Sequence, residues 1–349
     1  MNNIIDLKKY KLDAILLVTP LFNEYNSDIY HITKYIGIGY LIIKKNKTIL
    51  IVPEMEYSKA KKNFKNTIFF NKGKRNELLK ENLKKCKNIG IQYSNISYSQ
   101  IRDLKKLGKF KFKDIGKELL NIRSVKKEYE IKNIKNACKL CDEIFSKIIN
   151  NFNFKTEKEL SYFITNEIRK KGHEISFKPI VASAKNSSNV HHNPEDKIKK
   201  GFLLLDYGAK VNGYCSDMSR TIYVGNPSKR EIEKYNKVLK TQEEIIKSLK
   251  INQKCKELHE NTIKLLNDDG DKFIHGLGHG VGLDIHESPS LHPLSEDIIK
   301  ENNVITIEPG IYFENQFGIR IEDTILIKKN KNEILTKSKK ELIKVNLSV

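Results

Sequence analysis

Residues 202–224 read FLLLDYGAKVNGYCSDMSRTIYV. Apolar runs at 202–205 and 221–224 flank Asn212-Gly213, a strong two-residue hairpin turn signal. The stretch reads as a β-hairpin with an acid in each arm, Asp206 and Asp217. A loop centred on Val211/Asn212 sets the acids opposite each other; a tight Asn212-Gly213 turn makes them diagonal neighbours. Side chains alternate faces with period two, so both registers put the carboxylates on one face. Two like charges that close repel, and a shared proton or a bound cation relieves them. A lone Asp in a strand is usually a turn or edge residue. The pair gains meaning only if more ligands follow.

They follow in two further segments. Residues 273–287 read FIHGLGHGVGLDIHE. The spacing of His275 and His279 suits a helical zinc site, but glycine is a poor helix former and no Glu follows His275 as in H-E-x-x-H. The glycines instead predict backbone packed close to a site. Residues 304–312, VITIEPGIY, and 318–327, GIRIEDTILI, then predict a second hairpin around Asn315. Glu308 and Glu322 face each other across it. Four carboxylates and one imidazole in apolar strands are costly to bury unpaired. Two divalent cations, roughly 3.5–4 Å apart and bridged by carboxylates, balance such a set. Oxygen ligands with one nitrogen favour Mn²⁺, Co²⁺, Fe²⁺ or Zn²⁺ over thiolate-seeking ions.

The ordered set Asp206, Asp217, His279, Glu308 and Glu322 resembles the ligand set of the pita-bread metallopeptidases. These include methionine aminopeptidase, aminopeptidase P, prolidase and the non-peptidase creatinase. The matching strings are LLLDYGAKVNGYCSDMSRT, HGLGHGVGLDIHESP and IEPGIYFENQFGIRIED. An α/β module before the linker NIRSVKKEYEIKNI resembles the aminopeptidase P/prolidase branch. The resemblance implies an α+β fold, with a pita-bread catalytic domain at 123–349 and a smaller α/β accessory domain at 1–122. It implies that Asp206 binds one metal bidentately, that Asp217 and Glu322 bridge both metals, and that His279 and Glu308 complete the other site. Two divalent ions are implied, Mn²⁺ first, with Co²⁺, Zn²⁺ or Fe²⁺ as substitutes. His191 matches a histidine that contacts substrate, with His192 beside it as the second choice. His286 matches a second active-site histidine, Glu308 a proton shuttle, and Arg320 an arginine supporting the site. Ser219 stands where threonine is usual and keeps the hydroxyl.

The activity implied is hydrolysis of the peptide bond before proline, releasing the N-terminal residue of Xaa-Pro peptides; the alternative is a Xaa-Pro dipeptidase. Divalent cations suit this chemistry because they acidify water and polarise a carbonyl. Two rivals share the fold: a creatinase-like C–N hydrolase, and a non-catalytic binding protein. Such binding proteins typically lose metal ligands, and all five are present here. Family resemblance also implies a homodimer.

Composition narrows the partners. At 349 residues, 39% hydrophobic and 31% charged, the chain has room for two domains with real cores. The formal charge of +21 is nearly all lysine scattered with asparagine, and only seven residues are arginine. Without a nucleic-acid-binding signature, that excess reads as a solvated surface, not a specific nucleic-acid partner. An odd number of cysteines fits a reducing compartment, and Cys138 and Cys141 read as two positions on one helix face. No apolar run approaches the roughly 18 residues of a membrane span, and 14–18 is too short for a signal-peptide core. A cytoplasmic protein without a membrane partner is expected.

Residues 1 to about 120 alternate short strands and helices without a phosphate loop. Apolar residues at helical spacing from Ile131 to Phe145 predict a long helix, with Ser124 as its start signal. Thr156 and Glu159 predict a capping box for a second helix that Gly172 ends. Strand 176–183 and helices 228–250 and 255–266 complete the expected frame.

Overall fold

In the strand Ala14–Val18, Ile15 and Leu17 enter one apolar cluster, while Ala14, Leu16 and Val18 enter another. A strand that buries both faces lies inside a sheet covered on both sides. The computed structural model describes residues 5–20 and 25–347 and contains that sheet. Its spatial order is Thr67–Phe70, Lys47–Pro53, Tyr40–Lys44, Ala14–Val18, Asn88–Ile91 and Lys111–Asp114. Ile29 and Ala60, from helices Ser27–Thr33 and Tyr57–Asn63, cover one face. Leu79 and Leu104, from helices Arg75–Asn82 and Tyr98–Lys105, cover the other. The chain divides into two compact units, Met1–Ile122 and Arg123–Val349, and this sheet forms the first.

The second unit begins at a helix boundary that the sequence misplaces. Ser124 does not start the long helix; it ends the helix Gly116–Ser124, and its carbonyl accepts Asn303 Nδ2 at 2.9 Å. Lys127 is the N-cap of Glu128–Asn150, and its backbone N–H donates to Glu130 Oε2 at 2.9 Å. Thr156 caps Glu157–Lys170 as expected, its side chain accepting from the Glu159 N–H. The box does not close, because Glu159 Oε2 accepts Lys155 N–H instead. The expected strand 176–183 is shorter, Ile180–Ser183.

Two sheets carry the site. The first has the order Lys344–Val345, Met218–Val224, Gly201–Tyr207, Ile180–Ser183. Ser219 pairs with Asp206, and nearer the turn Val211 pairs with Tyr214. Both pairings centre on Asn212-Gly213, which have φ of 49° and 82°, as a tight I′ turn requires. Of the two registers open to the sequence, this is the diagonal one. The ladder breaks at Gly208 and at Ser216-Asp217. A Cβ on Gly208 would lie 1.9 Å from Ser216 O, so no larger residue fits there.

The second sheet has the order Glu287–Leu291, Gly278–Gly280, Val304–Ile307, Asp323–Leu326, Glu333–Ile334. Ile307 pairs with Asp323, and Gly310 with Arg320 in the adjoining ladder; both pairings centre on Asn315. Glu308 and Glu322 therefore stand across from each other, in the gap between the two ladders. Helices Glu128–Asn150 and Glu157–Lys170 pack on the first sheet through Ile144, Ile148, Leu160 and Ile164. Helices Lys229–Ser248 and Cys255–Leu266 pack through Val238, Ile245 and Leu258 in the cluster that holds Ile305, Ile307 and Ile325. Each such side chain, fully buried, contributes about 1.5–3 kcal/mol. The acids are thus held on strands anchored from both sides.

Candidate metal centre

Strand breaks free Asp217, Glu308 and Glu322 from the ladders, while Asp206 stays paired with Ser219 and Ile180. Asp217 lies in the break of the first hairpin, and its carbonyl accepts Thr324 Oγ1 at 2.7 Å. Glu322 lies in the break of the second; its backbone N–H donates to Ser219 O at 3.1 Å. His279 sits in Gly278–Gly280, beside a bulge in its pairing with Glu287–Leu291. Among the described residues, Asp217, His279 and Glu322 each offer a ligand atom, all within 4.8 Å of one another. His279 Nε2 is 3.5 Å from both Asp217 Oδ2 and Glu308 Oε1.

The tautomer of His279 follows from its other nitrogen. Nδ1 lies 3.1 Å from Gly280 O, which can only accept, so Nδ1 carries the proton. Burial, and then His286, push the His279 pKa down to about 3, so the ring is neutral. Its Nε2 therefore presents a lone pair to two carboxylates that also present lone pairs. Such an arrangement calls for a cation between them.

The carboxylates make the same demand. Asp206 Oδ1, Asp217 Oδ1 and Glu322 Oε1 are buried with no hydrogen-bond partner. Burial, then the charges of Glu322, Asp206 and Glu308, hold the Asp217 carboxyl well above the usual range. Burial and the charges of Glu308 and Asp206 do the same to Glu322. Burial pushes Glu308 up to about 7. Hard oxygens crowded to this degree, with one imidazole nitrogen, fit divalent cations of the Mn²⁺–Zn²⁺ group.

Arg320 braces the centre. Its Nη2 donates to Asp206 Oδ2 at 2.5 Å, Nε to Ser219 Oγ at 2.9 Å and Nη1 to Tyr312 Oη at 2.8 Å. Ser219 Oγ passes its own proton to Glu322 Oε2 at 2.8 Å. His275 Nδ1 faces Gly276 O at 2.7 Å, so its Nε2 accepts from Tyr312 Oη at 2.9 Å. His275 is thus turned away from the acids. Ser219→Ala is expected to weaken metal binding about 10-fold, as loss of a partner of a ligand does, while Ser219→Thr retains it. Competitive titration with a metallochromic indicator measures both.

The remaining candidate histidines differ in placement. The His286 ring centroid is 4.3 Å from that of His279. His191 is exposed and lies near enough to His275 and His286 for its charge to disfavour theirs. His192 turns aside, its Nε2 2.7 Å from Glu157 Oε2. Sequence reasoning passed over Tyr312 and Thr306, which donates to Glu308 Oε1 at 3.2 Å and accepts His279 N–H at 3.0 Å. Both hydroxyls lie within the hairpin strings, and their only signal was a polar atom in an apolar strand.

The profile of "Metallopeptidase family M24" matches residues 132–329. The chain belongs to this family. A second profile, "Creatinase/Prolidase N-terminal domain", matches residues 6–125. The chain is 36% identical over 339 residues to the Xaa-Pro dipeptidase of Pyrococcus furiosus, covering 95% of each chain. Its structure is similar to that of the Xaa-Pro dipeptidase of Bacillus anthracis, with a TM-score of 0.91, 30% identity and 97% of each chain covered. It is also similar to X-Pro aminopeptidase of Thermotoga maritima, with a TM-score of 0.89, 30% identity, and 97% of this chain and 100% of that one covered. The fold is the α+β pita-bread fold of the M24 metallopeptidases, preceded by a creatinase-like N-terminal domain. This M24 protein is a metal-dependent hydrolase by family. No helix among its described residues is long and apolar enough to cross a membrane.

Proposed function

We propose that the protein is a Xaa-Pro dipeptidase, splitting the bond before proline at a dinuclear centre built from Asp206, Asp217, His279, Glu308 and Glu322. The observation that carries this reading is the neutral His279 Nε2, 3.5 Å from Asp217 Oδ2 and Glu308 Oε1, in a cluster where Asp206, Asp217 and Glu322 each keep a buried oxygen without a hydrogen-bond partner. From sequence alone, aminopeptidase action stood first and dipeptidase action second. The order is reversed because relatives 36% identical over nearly the whole chain carry the dipeptidase name. Residues 123–349 hold the chemistry and residues 1–122 serve as an accessory domain. Mn²⁺ is the first choice of metal. A homodimer in the cytoplasm is part of the same proposal.

When bound, divalent cations supply Lewis-acid polarisation of the scissile carbonyl and a water acidified toward neutral pH. The protein's own groups do the rest. Arg320 and Ser219 hold Asp206 and Glu322 in fixed orientation, so the carboxylates need not reorganise during reaction. His286, neutral because burial lowers its pKa, donates an N–H to the developing oxyanion, with His191 as its companion. Glu308 carries the proton to the leaving proline nitrogen. That nitrogen belongs to a tertiary amide without an N–H, so the pocket recognises it by shape.

The test sets a Xaa-Pro dipeptide beside a Xaa-Pro-Yaa tripeptide. Metal-stripped protein receives Mn²⁺, Co²⁺ or Zn²⁺, and cleavage is followed by chromatography. Cleavage of the dipeptide alone supports the proposal. Cleavage of the tripeptide with little of the dipeptide makes the protein an aminopeptidase. With metal bound and neither peptide cut, the dipeptidase reading fails, and creatine becomes the substrate to try.

A further inference from the structure

A glutamate just after a helix N-cap is usually a solvated complement to the helix dipole. Glu157 occupies that position behind Thr156, yet it is 0% exposed. Its carboxylate faces five donors. Oε1 accepts Ser183 N–H at 2.7 Å and Asn186 Nδ2 at 3.0 Å. Oε2 accepts His192 Nε2 at 2.7 Å, and Glu195 N–H and Asp196 N–H at 3.3 Å each. All five belong to residues 183–196, the segment that carries His191. The backbone adds a sixth tie, Glu157 N–H to Asp196 O at 2.9 Å.

That segment needs holding. Ala184 has φ of +50°, a left-handed conformation that the Cβ of an alanine disfavours. Such strain persists only where the surroundings over-determine it. Donors spread over 14 residues of loop converge on one carboxylate, and His191 lies between Asn186 and Glu195 on the stretch they enclose. His192, fastened to Glu157, is the immediate neighbour whose anchoring fixes the direction of the chain at His191. Rigid placement matters because a misplacement of about 1 Å at a reacting group can cost roughly 100-fold in rate.

We propose that Glu157 is a positioning residue that sets His191 in the catalytic cleft by gathering the loop 183–196 onto one buried carboxylate. The proposal rests on the Xaa-Pro hydrolase reading for the role of His191. The geometric part stands without it.

The test combines kinetics with a spectroscopic readout. Glu157→Gln keeps the shape but turns an amide toward some of the donors. It is expected to lower kcat about 10- to 100-fold on a Xaa-Pro dipeptide, with KM and metal content nearly unchanged. In a His191→Ala background the same substitution is expected to lower kcat no further, because residues acting through one another are not additive. A multiplicative loss in both backgrounds overturns the proposal. The histidine Cε1–H NMR signal of His191, assigned by its absence in His191→Ala, is expected to shift or broaden in Glu157→Gln. An unmoved signal overturns the proposal whether or not the protein cleaves peptides. A shifted signal in a protein that cuts no Xaa-Pro peptide upholds the positioning and refutes the dipeptidase reading. If Glu157→Gln folds poorly, His192→Ala removes one of the five donors and is expected to move the His191 signal in the same direction, with a smaller fall in kcat.

Discussion

Asp217→Asn is expected to lower Xaa-Pro dipeptide hydrolysis by more than about 1,000-fold, since metal-assisted polarisation supplies several kcal/mol of the barrier reduction. The metal held per chain, measured by mass spectrometry after dialysis, falls with it. Glu322→Gln is expected to behave alike, because the two residues share the same cluster with His279. The reasoning is electrostatic. An amide keeps the size of the carboxylate and removes the anionic oxygen that draws a cation among Asp206, Glu308 and Glu322. The metal-free variant should unfold no earlier in urea than the metal-free parent. Burial and the neighbouring acids hold the Asp217 carboxyl well above the usual range, so without metal the change exchanges one neutral group for another of the same size. A variant that retains metal and a tenth or more of the activity would remove Asp217 from the centre. Early unfolding would assign the lost activity to the fold.

The parts of this centre that were legible from sequence are those with local causes. Asn212-Gly213 favours a tight turn, and once that turn forms the register of Asp206 against Asp217 follows. Asn315 does the same for Glu308 and Glu322, and the rows of Ile and Leu show which strands are interior. What escaped depends on residues far apart in the chain. Ser124 has the composition of a cap, but its hydrogen bond from Asn303, 179 residues away, places it at the end of a helix. Glu157 looks like any acid in a first helical turn until the loop folds back over it. Glu159 could close a box with Thr156 and instead binds the next backbone N–H. Arg220 and Asp323 did carry a signal that went unread: each is a charge inside a wholly buried strand, and two such charges of opposite sign generally meet.

They do meet, at the residue that follows Glu322. Arg220 Nη2 donates to Asp323 Oδ1 at 2.7 Å, while its side chain is 1% exposed and that of Asp323 0%. The remaining valences are filled. Arg220 also donates to the carbonyls of Ser219, Glu322 and Ser338. Asp323 accepts Thr336 Oγ1, Gln242 Nε2 and Lys340 Nζ, each at 2.8 Å. Burial alone would raise the Asp323 carboxyl, but the charges of Arg220 and Lys340, with the hydrogen bonds from Lys340 and Gln242, hold it down to about 2. Removing one partner strands the other charge without water, so Asp323→Asn is expected to cost about 3–5 kcal/mol. For a unit of this size that corresponds to a fall in Tm of roughly 6–20 °C, read by calorimetry on metal-free protein. Arg220→Met should cost less alone, because Lys340 still pairs with Asp323, and the double variant less than the sum, since Arg220 is then no longer left as a buried ion without its partner. The exposed pair Lys74–Glu77, with side chains 66% and 70% accessible, is the control: Glu77→Gln should change stability by no more than about 0.5 kcal/mol. If Asp323→Asn were as mild as Glu77→Gln, water would have to reach Arg220, and the rigid support beneath Glu322 would not exist. A large loss at Asp323 and none at Glu77 would show that the backbone beside Glu322 is held by a buried network that gains its strength from exclusion of solvent.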